Sequence, residues 1–343
     1  MEIKEILETL CNAEGVSGDE YSACAVAAEL LGKYTDTVET DKFGSVTAFI
    51  GDKGSDKPTV MLEAHIDEIG FIVTYIDDKG FIKVGNCGGT DRRLYAAQTV
   101  IIHGKEKVKG VISTLPPHVA SDSKKTMKTS EIAIDTGYSK AELQKLISLG
   151  DRVTIASPFT PLLGTRVSGK AVDNRAGVAA IIYAVSLISG KTLPCNVEIL
   201  FASQEEVGSR GAKIASFNSS ADIAIATDVS YAYTSDAKRE QCGDMGKGAM
   251  IGISPALDKG LTEELKTMTE NKKIPFQYEV MGGRTGTDAD DISVSKGGVK
   301  TALLSIPIKY MHTPVETVDT EDIRAVGEIM AEFISGSEAC KNV

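Results

Sequence analysis

Short apolar runs alternate with longer amphipathic segments along most of this chain. Runs bounded by Gly, Asp or Lys occur at 59–64 (TVMLEA), 196–202 (NVEILFA), 221–227 (ADIAIAT) and 299–306 (VKTALLSI). Their length and composition are typical of buried strands. Helical periodicity covers residues 2–12, 19–33, 174–189, 261–270 and 320–334. This succession predicts an α/β fold, in which a mixed sheet is covered by helices on both faces.

The stretch from about residue 69 to 165 has a different pattern. Short strand patterns separated by Gly and Asp turns fill it, with a single helical pattern at 140–148. We interpret it as a small β-rich barrel or sandwich inserted into the α/β domain. The expected domains are therefore an α/β domain formed by 1–68 and 166–343, and the insert 69–165.

Composition narrows the class of protein. The chain has 343 residues, of which 42% are hydrophobic and 25% are charged, as in an ordinary soluble globular protein. Its formal net charge of −11 argues against a nucleic-acid partner, whose phosphates would be repelled. No apolar stretch approaches the ~20 residues that span a bilayer. Six scattered cysteines without a C-x-x-C pair are typical of free thiols in a reducing compartment. We therefore expect a cytoplasmic protein that does not bind membranes.

Imidazole and carboxylate groups collect where the predicted strands end. Two of the four histidines lie in acidic segments, EAHIDEIG and MHTPVE, and three further acidic segments lie between them. The candidate residues are His65, Asp173, Glu205, Glu206, Asp228 and His312. Sites in open α/β sheets form beyond the carboxyl ends of strands, and this ligand set suits zinc, cobalt or manganese. The pattern predicts a metal site.

Two local spacings indicate how metal binding and proton transfer could be divided among these residues. In a strand, residues i and i+2 share a face, so Asp67 can reach the imidazole of His65 and fix its tautomer. In the pair Glu205–Glu206, one carboxylate can bind metal while the other transfers a proton from water to the leaving group. These spacings favour a hydrolytic site.

Each candidate also has an ordinary structural interpretation when taken alone. A histidine at a strand end is usually a hydrogen-bonded structural residue, and Asp173 alone would most often cap a helix. Five segments that obey one positional rule favour the metal site instead. His103 and His118 have no carboxylate near them in sequence, and we interpret them as structural.

The motifs AHIDEIG, AVDNRAG, SQEEVGSRGA, ATDVS and MHTPVE occur in the order and spacing of a known family. Over essentially its whole length the chain resembles the tetrahedral metallo-aminopeptidases, metallopeptidase family 42. The resemblance implies an α/β fold of metallo-aminopeptidase type that removes N-terminal residues from short peptides with a free N-terminus. It also implies that the insert is a dimerisation domain and that dimers join into a tetrahedral homododecamer.

The resemblance assigns two divalent ions per subunit, zinc or cobalt, with manganese also compatible. Asp173 would bridge the two ions. His65 and Asp228 would complete the ligands of one ion, and Glu206 and His312 those of the other.

The remaining implied roles concern catalysis and backbone geometry. Glu205 would be the general base, and Asp67 would orient His65. The peptide bond between Asp173 and Asn174 would be cis.

Four questions about function stay open. The loop 282–292 (GGRTGTDADDI) is either a wall of the substrate site or a strand-to-helix turn capped by Asp288. An endoglucanase-like glycosidase is an alternative, disfavoured because the chain lacks Trp and its carboxylates are interleaved with histidines. A non-catalytic assembly scaffold would be expected to have lost a ligand or the base, yet all are present. The preferred N-terminal residue is not defined by the sequence.

Overall fold

The computed structural model of the protein describes residues 2–115, 118 and 126–340. The helices are α1 Ile3–Asn12, α2 Tyr21–Leu31, α3 Lys140–Leu146, α4 Val172–Ile188, α5 Arg210–Asn218, α6 Lys259–Lys272, α7 Ala289–Ser293 and α8 Thr320–Gly336. The first nine strands are β1 Glu39–Thr40, β2 Val46–Ile50, β3 Thr59–His65, β4 Gly70–Ile76, β5 Ile82–Cys87, β6 Thr99–His103, β7 Lys107–Ile112, β8 Ile134–Asp135 and β9 Arg152–Ile155. The others are β10 Thr160–Pro161, β11 Arg166–Gly169, β12 Asn196–Ala202, β13 Ile223–Tyr231, β14 Ala249–Ile253, β15 Phe276–Val280, β16 Lys300–Ile308 and β17 Glu316–Asp319.

The central element is a mixed sheet of eight strands in the order β1-β2-β12-β3-β13-β16-β14-β15. Strands β12, β3, β13 and β16 are mutually parallel neighbours, so their carboxyl ends meet at one edge of the sheet. The flanking strands β2 and β14 run antiparallel to this group. The predicted α/β fold with a mixed sheet is confirmed.

Side-chain alternation in the parallel strands separates two hydrophobic cores. In β3, Val60 and Leu62 join the large core beneath α1, α2, α4 and α8, whereas Met61 joins a smaller core with residues of α5 and α7. Because successive side chains of a strand point to opposite faces, Glu63 and His65 lie on the same face as Met61. The face that is apolar near the start of β3 therefore becomes polar at its carboxyl end.

The inserted strands form a closed barrel in the order β4-β5-β8-β7-β6-β9, which confirms the barrel-like insert. The barrel has its own core, in which the rings of Phe71 and Tyr95 meet edge to face at a centroid distance of 5.3 Å. Strand β10 does not belong to the barrel but pairs with β11, which pairs in turn with β17. The barrel strands thus end at Ile155, before the expected domain boundary at residue 165, and that boundary stays a prediction.

Two expectations from composition can be compared with the described residues. In that part of the chain, no helix has both the length and the apolar character needed to cross a membrane. No disulfide forms there either, although all six cysteines are included.

Candidate metal centre

Parallel strand ends bring the predicted residues together. His65 is the last residue of β3 and is paired in register with Ala202 of β12, directly before the turn that contains Glu205 and Glu206. Asp228 lies in the neighbouring strand β13, on the same face as Ala224 and Ala226 by alternation. Segments that are distant in sequence thus converge because the sheet aligns their strands.

One group of candidate ligands surrounds the imidazole of His65. Its Nε2 lies 3.2 Å from Oδ1 of Asp173 and 3.7 Å from Oδ1 of Asp228. The donor atoms of these three residues all lie within 4.8 Å of one another, and all three residues are buried. This spacing is compatible with one shared cation.

A second group surrounds His312, in the loop after β16. Its Nε2 lies 3.3 Å from Oδ2 of Asp173 and 3.3 Å from Oε1 of Glu206. The donor atoms of these three residues also lie within 4.8 Å of one another. The two oxygens of Asp173 therefore face different histidines, Oδ1 toward His65 and Oδ2 toward His312.

Asp173 is held in this position by main-chain and side-chain contacts. The peptide bond between Asp173 and Asn174 is cis, as the resemblance implied. The amide of Asn174 donates to the carbonyl of Thr227 at 2.6 Å, next to Asp228. The main-chain N–H groups of Asp173 and His312 both donate to Glu316, at 3.1 and 2.8 Å. Glu316 ends the MHTPVE motif and ties the two ends of the site together, a role that the sequence did not reveal.

Asp67 connects His65 to the turn after β12. Its Oδ1 lies 3.4 Å from Nδ1 of His65, in keeping with the predicted orienting contact. It also accepts hydrogen bonds from the main-chain N–H groups of Glu205 and Glu206, at 2.9 and 3.2 Å, and from the Ser17 hydroxyl at 2.6 Å. One buried carboxylate thus positions both an imidazole and the paired glutamates.

The cluster contains more carboxyl groups than imidazole groups. Burial raises the pKa of Asp228 well above its usual value and raises that of Glu205 to about 8, because ionised carboxylates lose water and crowd one another. Hydrogen bonds that the His312 imidazole donates to the carboxylates of Asp173 and Glu206 raise the pKa of His312 to about 11. For Asp173, burial opposes ionisation, but His312 and His65 outweigh it and lower its pKa. Crowded carboxylates with shared imidazoles are a donor set that fits divalent cations.

Two further buried carboxyls lie beside the cluster and were missed. Glu63, on the same face of β3 as His65, lies next to Asp288. Both side chains are buried. Burial is the main cause that raises the pKa of Glu63 well above its usual value, and the negative charge of Asp288 raises it further. The i, i+2 spacing from His65 was the available signal for Glu63. Nothing near Asp288 in sequence indicated that it would lie here.

The loop 282–292 forms part of the cavity wall. Thr285, Gly286 and Thr287 line a cavity of about 720 Å³ that also contains the candidate ligands. The loop joins β15 to α7, and Asp288 occupies the N-cap position of α7, but its side chain makes no capping hydrogen bond. Instead Asp290 accepts hydrogen bonds from the main-chain N–H groups of Thr285 and Gly286. The loop is therefore both a strand-to-helix turn and part of the cavity wall, and a contact with substrate stays a prediction.

His103 and His118, which the sequence analysis interprets as structural, make no described contact with the cluster. His103 lies on the barrel strand β6, where its Nδ1 is 2.9 Å from Oε2 of Glu14 and its Nε2 is 2.8 Å from the Thr154 hydroxyl. Its carboxylate partner comes from a segment distant in sequence. His118 is exposed.

A mixed α/β sheet with histidines and carboxylates gathered at its carboxyl edge is the arrangement of a metal-dependent hydrolase. Comparison with known proteins identifies the family. The family model for the M42 glutamyl aminopeptidase matches residues 44–329, and the chain belongs to this family. It is therefore a peptide hydrolase of the aminopeptidase class, and membership of this metallopeptidase family implies divalent metal ions.

Individual relatives agree with this assignment. The chain is 32% identical to a lysyl aminopeptidase of Pyrococcus furiosus over 326 residues, which covers 93% of each chain. The fold is similar to that of aminopeptidase APDkam598 from Desulfurococcus kamchatkensis, with a TM-score of 0.91, 31% identity, and 99% and 96% of the two chains covered. It is also similar to the TET1 peptidase of Pyrococcus horikoshii, with a TM-score of 0.85, 28% identity, and coverage of 97% and 99%. That protein can assemble into a tetrahedron or a large octahedral shell.

Proposed function

We propose that this protein is a dinuclear metal-dependent aminopeptidase that removes single residues from the free N-terminus of short peptides. The observation that carries the proposal is the position of Asp173, whose two carboxylate oxygens lie 3.2 and 3.3 Å from the Nε2 atoms of His65 and His312. A carboxylate shared in this way by two imidazole groups is suited to bridge two ions.

The proposed ligand sets use two of the three donor groups that, among the described residues, lie close enough to share an ion; the third is His65, Glu205 and Glu206. Asp173, His65 and Asp228 would hold one ion, and Asp173, Glu206 and His312 the other. When bound, such ions polarise a peptide carbonyl and lower the pKa of water. Zinc or cobalt is the expected metal, with manganese compatible, because imidazole and carboxylate ligands accept all three.

The chain's own residues would supply proton transfer and orientation. Glu205 is proposed as the general base, since it borders the cluster and lines the same cavity as the candidate ligands. The main-chain N–H of Glu205 donates a hydrogen bond to Asp67, which fixes the backbone from which the Glu205 side chain extends. Asp67 would also keep His65 in one orientation through Nδ1. These contacts support a base that takes a proton from water and passes it to the leaving amine.

A paired substrate and variant experiment tests this function. Leucine p-nitroanilide should be cleaved, whereas its N-acetyl form should not, because an aminopeptidase requires the free amine. Glu205→Gln should keep two metal equivalents by elemental analysis and lose at least about 100-fold in kcat, within the range expected for a missing general base. Unchanged kcat would remove Glu205 from this role, and equal cleavage of the blocked substrate would refute the aminopeptidase proposal.

We further propose that the protein works as a homo-oligomer built through the barrel insert, as dimers that join into a tetrahedral dodecamer. The tetrahedral assembly described for the Pyrococcus horikoshii relative supports this. Exposed apolar side chains on the barrel strand β7 (Val111) and in the hairpin between β10 and β11 (Leu162 and Leu163) are also compatible with covered surfaces. Light scattering after size exclusion should give the mass of twelve subunits, and a monomer at micromolar concentration would contradict the proposal.

A further inference from the structure

Glu279, on β15, is a carboxylate in the cavity wall that the proposed chemistry does not use. The hydroxyl of Ser230 donates to its Oε1, and that of Ser305 donates to its Oε2 at 2.6 Å. All three residues line the same cavity of about 720 Å³. Neutral donors therefore fix the direction of the carboxylate, and each oxygen keeps further accepting capacity for a ligand.

Strand register brings Glu279 next to the metal centre. Ser305 of β16 is the partner of Asp228 in β13. Ser230 follows Asp228 by two positions, so both side chains lie on the same face of β13. Glu279 is hydrogen-bonded to both of these neighbours of Asp228. The side chain of a residue whose backbone is bound at the centre can therefore extend toward Glu279 without leaving the cavity.

The charge of Glu279 is not balanced within the cavity. Among the described residues that line it there is no lysine or arginine, whereas a second carboxylate, Glu240, lies on the wall in addition to those of the centre. Met250, Met281 and Leu303 contribute apolar wall to the same cavity. A cavity wall that combines apolar side chains with an unbalanced carboxylate matches a side chain with a methylene stem and a cationic end.

We propose that Glu279 is a specificity-determining residue that selects peptides whose N-terminal residue is lysine or arginine. The inference rests on the proposed aminopeptidase function and names its substrate class. The ammonium or guanidinium group pairs with Glu279, while the stem lies along the methionine side chains. An N-terminal glutamate is rejected because its carboxylate would face Glu279 and Glu240. This preference is opposite in charge to the residue in the family's name.

The experiment compares lysine, norleucine and glutamate p-nitroanilides on the purified, metal-loaded protein in its native assembly. Lysine and norleucine share the four-carbon stem and differ by the ammonium group. We expect kcat/KM for lysine to exceed that for norleucine by about 10- to 100-fold, the range for a hydrogen bond to a charged group. In Glu279→Gln, which keeps shape and a serine partner for each polar atom, that ratio should fall by a similar factor.

Two matched variants separate the effect of Glu279 from general loss of negative charge. Glu240→Gln should lower the ratio less than about threefold, because Glu240 is exposed and solvent screens it. Glu270→Gln, at an exposed position of α6, should leave kcat/KM unchanged for all three substrates.

Each other outcome has a defined meaning. An unchanged lysine-to-norleucine ratio in Glu279→Gln would overturn the inference, even if kcat/KM fell uniformly, and so would a preference for glutamate in the unaltered protein. Both of these results would leave the aminopeptidase function intact. If none of the three substrates, nor leucine p-nitroanilide, were cleaved by the metal-loaded protein, the proposed function would fail and this inference with it.

Discussion

Replacing the buried Arg175 should strongly destabilise both the fold and the metal centre. Its side chain is fully buried and donates to the carbonyls of Leu10 and Ala13 at the end of α1. It also donates to the carbonyl of Ile66, between His65 and Asp67, and pairs with Glu68 at 3.2 Å. One guanidinium thus connects the N-terminal helix, the segment after β3 and the start of α4.

The expected loss in the free energy of unfolding follows from these hydrogen bonds and this ion pair. Removing one member of a buried ion pair costs about 3–5 kcal/mol, and each carbonyl left without a donor adds up to about 1–3 kcal/mol. The costs are not additive, and Lys170 still contacts Glu68 at 2.8 Å. We therefore expect Arg175→Met to lower the free energy of unfolding by about 3–5 kcal/mol. Arg175→Lys should lose about 2–3 kcal/mol, because an ammonium group cannot reproduce the planar fork.

Urea unfolding followed by circular dichroism, with and without chelator, measures this loss. Lys4→Met, on the exposed face of α1, is the control and should change the free energy by less than about 0.5 kcal/mol. A loss below about 1 kcal/mol in Arg175→Met would refute the reasoning, since relaxation would then have replaced every lost partner.

Three further changes give distinct results. Ser17→Ala removes a 2.6 Å hydrogen bond to buried Asp67 and should lower the free energy of unfolding in urea by about 1–2 kcal/mol. The variant should also have a smaller kcat. An unchanged free energy of unfolding would mean that water replaces the hydroxyl. Gly15→Ala places a Cβ 2.6 Å from Nη2 of Arg175 and 2.8 Å from Cβ of Ala23, and should cost about 1–3 kcal/mol, visible as a lower melting temperature; an unchanged melting temperature would show that both neighbours move without cost. Metal binding to the chelator-treated protein at pH 7 should release protons, because the pKa of His312 is raised to about 11 and the imidazole must deprotonate to bind. Calorimetry in buffers of different ionisation enthalpy measures this release, and affinity should rise with pH; no release would show that His312 is already neutral.

The sequence predicted the fold well where burial controls the pattern. The apolar runs at 59–64, 196–202, 221–227 and 299–306 all became central strands, because strands buried on both faces are continuously apolar. Several strands were not predicted, among them β14 (Ala249–Ile253), although it is mostly buried, and β15 (Phe276–Val280). Strand β15 is the sheet edge and none of its residues is fully buried, so they are not constrained to be apolar.

The sequence predicted the contacts of the site only between residues that lie close together in the chain. Motifs placed His65 and Asp67 together because both lie in one short segment. The contact between Glu63 and Asp288 joins elements distant in the chain and has no local signature. Arg175 lay within a quoted motif, but its partners come from the end of α1 and from the segment after β3, which no spacing connects. Long-range hydrogen bonding therefore marks the limit of what the sequence predicted.

The shared carboxylate of Asp173 has a consequence for how metal would load. If each oxygen serves one ion as proposed, the two binding events cannot be independent, because the first ion changes the charge and orientation offered to the second. By reciprocity, the factor by which the first ion alters the affinity for the second applies equally in the other order. A singly loaded subunit is then a distinct species with its own affinity, and its population depends on the sign of the coupling. Measured metal content and activity would consequently follow different curves as the ion concentration rises.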